Sequence, residues 1–313
     1  MSDKDAPETA AELQADEEAQ RSLEAIEAGG IPLNAERRLK ELRSGVTSFT
    51  SDLSVNGFAL LHQLGLEPLS QVMGSSIYEV GYQNVGWASM MGSSITEMRV
   101  LSDAWNEVRR RAFNRLELEA RHAGADAVVG VQIRTAAHDW AAGSIEYMVL
   151  GTAVRRKGAK PAEQPILTEL SVADYAKLLQ AGVEPAGIVA CTSVFYATFA
   201  GNWMGQGGML GGSMGGALGG GIGGAYNFEL REFTQAFYEA RETVMERLGY
   251  QAQQLSASGI VGVRISHNAQ RQDSGGMNAG PGLIATFDAI GTAIKETGNA
   301  QPQAPKQTID LSI

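Results

Sequence analysis

The stretch DLSVNGFALLHQLGLEPLSQV (residues 52–72) returns as ELSVADYAKLLQAGVEPAGIV (residues 169–189), at a constant offset of 117. Leu53/Leu170, Ser54/Ser171, Val55/Val172, Ala59/Ala176, Gly65/Gly182, Glu67/Glu184 and Pro68/Pro185 are identical pairs. Two more blocks follow in the same order. WNEVRRRAFNRLELEARHAGADAVVGVQI, from Trp105, aligns with FYEARETVMERLGYQAQQLSASGIVGVRI, from Phe237, at an offset of 132; Gly151-Thr152-Ala153-Val154 matches Gly291-Thr292-Ala293-Ile294 at 140. Such self-similarity means one folding unit used twice. The offset grows by 15 between the first two blocks, so the second repeat carries an insertion there.

Local signals give both repeats one plan. A short strand around Phe49 (Ile166) leads to Ser54 (Ser171), whose hydroxyl suits the N-cap of a helix of about three turns. Gly65 (Gly182) suits the position just past that helix, and Pro68 (Pro185) prevents its continuation. A strand is expected over 71–82 (188–199), then a long helix near 103–122 (232–253). That helix carries an apolar stripe at spacings of three and four: Trp105, Val108, Ala112, Leu116 and Ala120, matched by Phe237, Ala240, Val244, Leu248 and Ala252. An apolar strand begins at Ala127 (Gly259), and a last one over 145–154 (283–294) ends at the Gly-Thr-Ala turn. Strand-helix-strand-helix-strand-strand, used twice with helices packed on one sheet face, makes the fold class α+β. The expected division is an acidic tail and short basic helix (1–45), repeat one (46–156), a linker (157–165), repeat two (166–296, with the insertion at 201–226) and a C-terminal tail (297–313).

Composition narrows the function classes. A length of 313 residues supports two ordinary cores. The net charge of −10 argues against a sequence-independent grip on nucleic acid, which needs a basic surface. One cysteine, Cys191, leaves no intrachain disulfide framework and fits a reducing compartment. The first residues are acidic with no apolar run, so no secretory signal is expected and the location expected is cytoplasmic. Residues 1–28 carry nine acids against Lys4 and Arg21, which reads as a solvated tail with transient helix.

The insertion is WMGQGGMLGGSMGGALGGGIGGAY, from Trp203 to Tyr226. Glycine pairs recur every four residues (Gly207-Gly208, Gly211-Gly212, Gly215-Gly216, Gly219-Gly220, Gly223-Gly224), with Met209, Leu210, Met214, Leu218 and Ile222 between them and Met204 ahead of the first. No charged residue stands between Glu184 and Glu229. Thirteen glycines between Gly201 and Gly224 would cost a water-exposed helix ~13 kcal/mol relative to alanine. A linker, however, needs neither the four-residue beat nor the apolar spacers. That beat gives a flat helix face useful in lipid or a tight bundle, and Trp203 and Tyr226 stand where interface aromatics belong. The segment is therefore expected to contact a membrane, peripherally, or to pack in an assembly or against a partner, with a mobile loop as the plain alternative. Repeat one has a smaller uncharged loop with Trp87, Met90 and Met91, taken as interface candidates together with the equivalent arginines Arg109 and Arg241, each lying near its helix's apolar stripe.

Chemistry-bearing constellations are sparse. The four histidines form no HxxxH or HxH pattern. His138-Asp139 is the nearest approach to a metal cluster, joined by His122 only if the fold brings it there. Gly219–Gly224 satisfies G-x-G-x-x-G, as any glycine run does, and no Lys-Ser/Thr follows. There is no GxSxG or HExxH, so no catalytic residue is assigned and a non-enzyme is expected.

Two segments carry a family resemblance. EARHAGADAVVGV (119–131) with EYMVLGTAV (146–154), and more loosely SGIVGV (258–263) with DAIGTAI (288–294), resemble the helix-to-strand signature and closing strand of the YbjQ-type heavy-metal-binding domain family. The resemblance covers roughly 50–155 and 166–296. It implies two tandem copies of an α+β domain that assembles with itself into rings, as pentamers, and it is the resemblance alone that brings in metal; no other cofactor is expected. The reading is a non-enzymatic ring-forming scaffold that presents the glycine-rich segment to a membrane or another assembly; the alternative is a metal- or small-ligand-binding ring.

Overall fold

The computed structural model describes residues 10–80, 95–137, 144–198, 229–272 and 282–297. Its elements are α1 (Ala10–Glu27), α2 (Leu33–Arg43), α3 (Val55–Gln63), β1 (Leu66–Glu79), β2 (Ile95–Glu97), α4 (Arg99–Ala123), β3 (Ala127–Ala137), β4 (Ser144–Arg156), β5 (Ile166–Leu167), α5 (Val172–Gln180), β6 (Val183–Thr198), α6 (Arg231–Gln254), β7 (Gly259–Gln272) and β8 (Gly282–Glu296). They form two four-stranded sheets, ordered β1-β4-β3-β5 and β2-β6-β8-β7. The class is α+β, as expected.

The repeats agree down to register. Ser75 faces Met148 where Thr192 faces Asp288, and Ala127 faces Val154 where Gly259 faces Ile294. Bulges fall at equivalent places, between Pro68 and Ser70 (Pro185 and Gly187) and between Val129 and Gln132 (Val261 and Arg264). In each repeat the long helix lies on one sheet face. Four of the five stripe positions in each helix are buried, Val108, Ala112, Leu116 and Ala120 in α4 and Ala240, Val244, Leu248 and Ala252 in α6, while Trp105 and Phe237 at the start are partly buried. A third cluster, with Leu61, Val129, Val154 and Val172, lies where α3 and α5 meet. Ser54 and Ser171 cap their helices by accepting from Gly57 N at 3.1 Å and Asp174 N at 3.2 Å. Gly65 and Gly182 follow at φ +70° and +72°.

Three local expectations are corrected. Residues around Phe49 form no strand, although their equivalents Ile166–Leu167 form β5, because only the second segment has a strand to pair with. Gly-Thr-Ala is no turn in either repeat: Gly151 and Gly291 lie inside β4 and β8. A Cβ there would stand 2.6 Å from Val128 Cγ1 or 2.7 Å from Ile260 Cγ2, so the glycines admit a neighbouring strand's side chain. Finally, residues 10–27 form one continuous helix. Its Glu18 pairs with Arg37 of α2, and Ser22 Oγ accepts from Leu33 N at 3.3 Å.

Candidate functional site

The repeats meet along an interface in which each extends the other's sheet. β2 belongs to repeat one by sequence but pairs antiparallel with β6 of repeat two, Ile95 opposite Ala197 and Glu97 opposite Phe195. In exchange, β5 of repeat two pairs parallel with β3, Ala127 opposite Ile166 and Val128 opposite Leu167. Backbone bonds continue past both short strands: Met98 N to Val194 O (2.8 Å), Thr168 N to Val128 O (2.9 Å), Gly130 N to Leu170 O (3.0 Å) and Val131 N to Thr168 O (3.1 Å).

Beyond β2 the edge of β6 is met by side chains of α4. Ser102, Asn106 and Arg109 lie on one stripe at spacings of four and three. Ser102 Oγ accepts from Val194 N at 2.9 Å. Asn106 Oδ1 accepts from Thr192 N at 3.1 Å while its Nδ2 donates to Thr192 O at 2.8 Å, so a side-chain amide does the work of a strand residue. Arg109, only 4% exposed, donates to Thr192 Oγ1 and Asn106 Oδ1 and lies 5.9 Å above the Tyr147 ring. Thr192 Oγ1 in turn donates to Asp288 Oδ1 at 2.6 Å. A second cross-repeat pair joins Arg247 to Glu97 at 2.7 Å.

Burial sets the electrostatics. It pushes the Asp288 carboxyl above its ordinary value, against the Thr192 hydrogen bond and the Arg109 charge. It also pushes the Tyr147 phenol up to about 12 and raises the Cys191 thiol, which packs as a small core residue. Two open grooves flank the junction. One, of about 840 Å³, is lined by Asn106, Arg109, Phe113, Ile188, Cys191 and Tyr250; the other, of about 950 Å³, by Arg109, Tyr147, Glu169, Arg264 and Asp288. Arg109 borders both. Its chemistry here is that of a clamp: a buried cation and two hydroxyl and amide partners fix the relative register of the repeats.

Of the residues singled out from sequence, Arg109 is thus at the centre of an interface. Its equivalent Arg241 lies half-exposed beside Glu242. His122 is exposed, near the end of α4. Trp87, Met90, Met91, His138, Asp139 and the whole segment from Trp203 to Tyr226 lie outside the described residues. Among the described residues no group of three His, Cys, Asp or Glu stands close enough to hold a metal, and burial raises the Cys191 thiol. No helix among them is long and apolar enough to cross a membrane. Sequence reading missed Ser102, Asn106, Thr192 and Asp288. A signal was present: the polar positions of the α4 stripe become Thr234 and Tyr238 in repeat two, while the apolar stripe is kept.

The YbjQ family, described as "Putative heavy-metal-binding", matches residues 65–157 and again 206–297. The chain belongs to that family. Two YbjQ units in tandem account for the duplicated registers. Among its relatives is a protein of Mycobacterium tuberculosis named an encapsulin nanocompartment protein, 34% identical over 269 residues that cover 84% of this chain and 92% of the relative. A UPF0145 protein of Clostridium novyi is 37% identical over 93 residues, and one of Methanococcus maripaludis 38% over 92. These cover 29% and 28% of the chain but 85% and 78% of the relatives, the length of one YbjQ unit. No solved structure matches the chain.

Proposed function

We propose that this protein is a non-catalytic scaffold that assembles with copies of itself in the cytoplasm, in rings whose size the family resemblance suggests is five. The observation that carries this reading is the reciprocal exchange of β2 and β5: the unit is built to complete its sheet with another unit of its own kind. The likeness to a nanocompartment protein over nearly that protein's whole length supports an assembly role. On this reading the uncharged, glycine-paired segment 201–226 is presented from the ring to a larger protein shell or, peripherally, to a membrane surface.

Light scattering on the full chain tests the assembly; a mass equal to one chain at micromolar concentration would refute it. Liposome flotation of the intact protein beside a variant lacking residues 204–224 tests the segment. Flotation of the intact protein alone assigns it to membrane; no flotation with unchanged assembly assigns it to a protein partner. The family description favours one other reading, a metal-binding ring. Stoichiometric metal uptake that is lost when His138 and Asp139 are replaced would establish it.

A further inference from the structure

The junction uses two different surfaces, and the chain holds a second, unused set of both. Repeat one contributes the outer edge of β3 and the start of α4; repeat two contributes the segment 166–172 and the edge of β6. By the repeat offsets, repeat two has its own copy of the first surface, at β7 and α6. Repeat one likewise has its own copy of the second, at residues 49–55 and the edge of β1. β7 is the edge strand of its sheet, with no strand paired beyond it among the described residues.

Exposure marks the unused set. Val172 is 4% exposed within the junction, whereas its equivalent Val55 is 85% exposed. Val194 is wholly buried under the end of β2, and its equivalent Ile77 is 56% exposed. Val128 and Val131, on the strand that β5 pairs with, are buried, while Ile260 and Val263 in the same apolar sequence are left partly open. An apolar strand edge bare to water is a site for pairing with another chain.

Both halves are already shaped. Gly262 holds φ +68° where Gly130 holds +65°, so the β7 edge keeps the bulge that receives Leu170 in repeat one. The segment 49–55 is held in the pose of 166–172. Ser51 Oγ lies 3.3 Å from Thr152 Oγ1, where Thr168 lies 3.1 Å from Thr292. Gln132 Nε2 donates to Asp52 where Arg264 donates to Glu169.

We infer that copies of this chain join head to tail, the segment Phe49–Val55 of one adding in parallel to the β7 edge of the next at Gly259–Val263. Phe49 then stands opposite Gly259 and Thr50 opposite Ile260, as Ile166 and Leu167 stand opposite Ala127 and Val128. Ser51 N donates to Ile260 O, Val263 N to Ser51 O and Gly262 N to Leu53 O, while Val55 enters the apolar site between the repeats. Because the two surfaces differ, the contact is heterologous and repeats around a ring or along a filament. The β1 side is the less open half: Arg115, equivalent to Arg247, already donates to the carbonyls of Ile26, Gly30 and Ser75. This inference rests on the self-assembly proposed above and names its surfaces.

The test is disulfide trapping in the full-length protein. Phe49→Cys with Gly259→Cys places two thiols at strand-pair spacing, within the Cα separation a disulfide accepts; a Cβ at Gly259 meets nothing closer than 3.9 Å. Mild oxidation is expected to give a ladder of covalent multimers that reductant collapses, with no ladder from either single variant or from Phe49→Cys with Ser266→Cys. If light scattering finds the assembly but the matched pair gives no ladder, or the mismatched pair gives an equal one, this pairing is overturned and self-assembly stands. If the protein is a single chain throughout, both fall. Val55→Asp gives a trapping-free check, since that residue is exposed in the single chain: its circular dichroism should match the parent while association weakens at least tenfold. Unchanged association would overturn the pairing.

Discussion

Arg109 and Arg241 occupy the same place in the two repeats, so replacing each with alanine isolates what the junction adds. Arg109→Ala removes charge-assisted hydrogen bonds to Thr192 and Asn106, each worth about 1.5–3 kcal/mol. It also takes away the Arg109 charge that favours the ionised form of the half-buried Asp288 carboxyl, and uncovers the Tyr147 ring. Partial relaxation of the grooves recovers some of this, and removing one member of a buried charged network costs about 3–5 kcal/mol. Arg241 is half-exposed and 3.7 Å from a still more exposed Glu242, a pair worth at most about 0.5 kcal/mol. Urea unfolding followed by circular dichroism reads the difference, at a concentration where light scattering shows the single chain. Arg109→Ala should lower the midpoint markedly at unchanged slope and Arg241→Ala should barely move it. Equal midpoints for the two variants would refute the assignment of Arg109 as the clamp between repeats.

Other expectations follow from comparing the repeats. Glu119, which accepts from Met73 N at 2.9 Å, is replaced in repeat two by Gln251, which accepts from Ala190 N at 3.0 Å. Burial holds the Glu119 carboxyl above its ordinary value, so its ionisation opposes folding above that raised pKa and the penalty is relieved as pH falls through it towards 4.5. Thermal melts from pH 7.5 to 4.5 should therefore show wild type gaining on Glu119→Gln as pH falls; a constant gap would contradict this. Gly74 faces α4 so closely that a Cβ would stand 1.9 Å from Ala112 O, and Gly74→Ala should cost about 3 kcal/mol in urea unfolding, with near-wild-type stability as the contrary result. Ser256 follows α6 at φ +53° where Gly124 follows α4, so Ser256→Gly should raise stability by about 0.5–1 kcal/mol in the same assay; any loss would show the serine hydroxyl matters more than its backbone strain.

Most of the architecture was legible because its causes are local. Ser54 and Ser171 cap, Gly65 and Gly182 terminate, and the stripes of α4 and α6 bury at helical spacing; each follows from a few neighbouring side chains. Duplication was legible for the same reason, since equal local patterns at fixed offsets fold alike. Reading failed where a segment's state depends on a distant partner. Phe49–Thr50 and Ile166–Leu167 carry the same signals, yet only the second is a strand, because β3 lies beside it. Arg109 and Arg241 share a helix position, yet one is a buried clamp and the other half-exposed, because only Arg109 reaches Thr192 on the edge of the other repeat's β6. Sequence by itself determined the repeat, its elements and its core faces. Tertiary structure decided which edges are filled and which remain open, since strand pairing joins backbone groups far apart in the chain and leaves little trace in side-chain pattern.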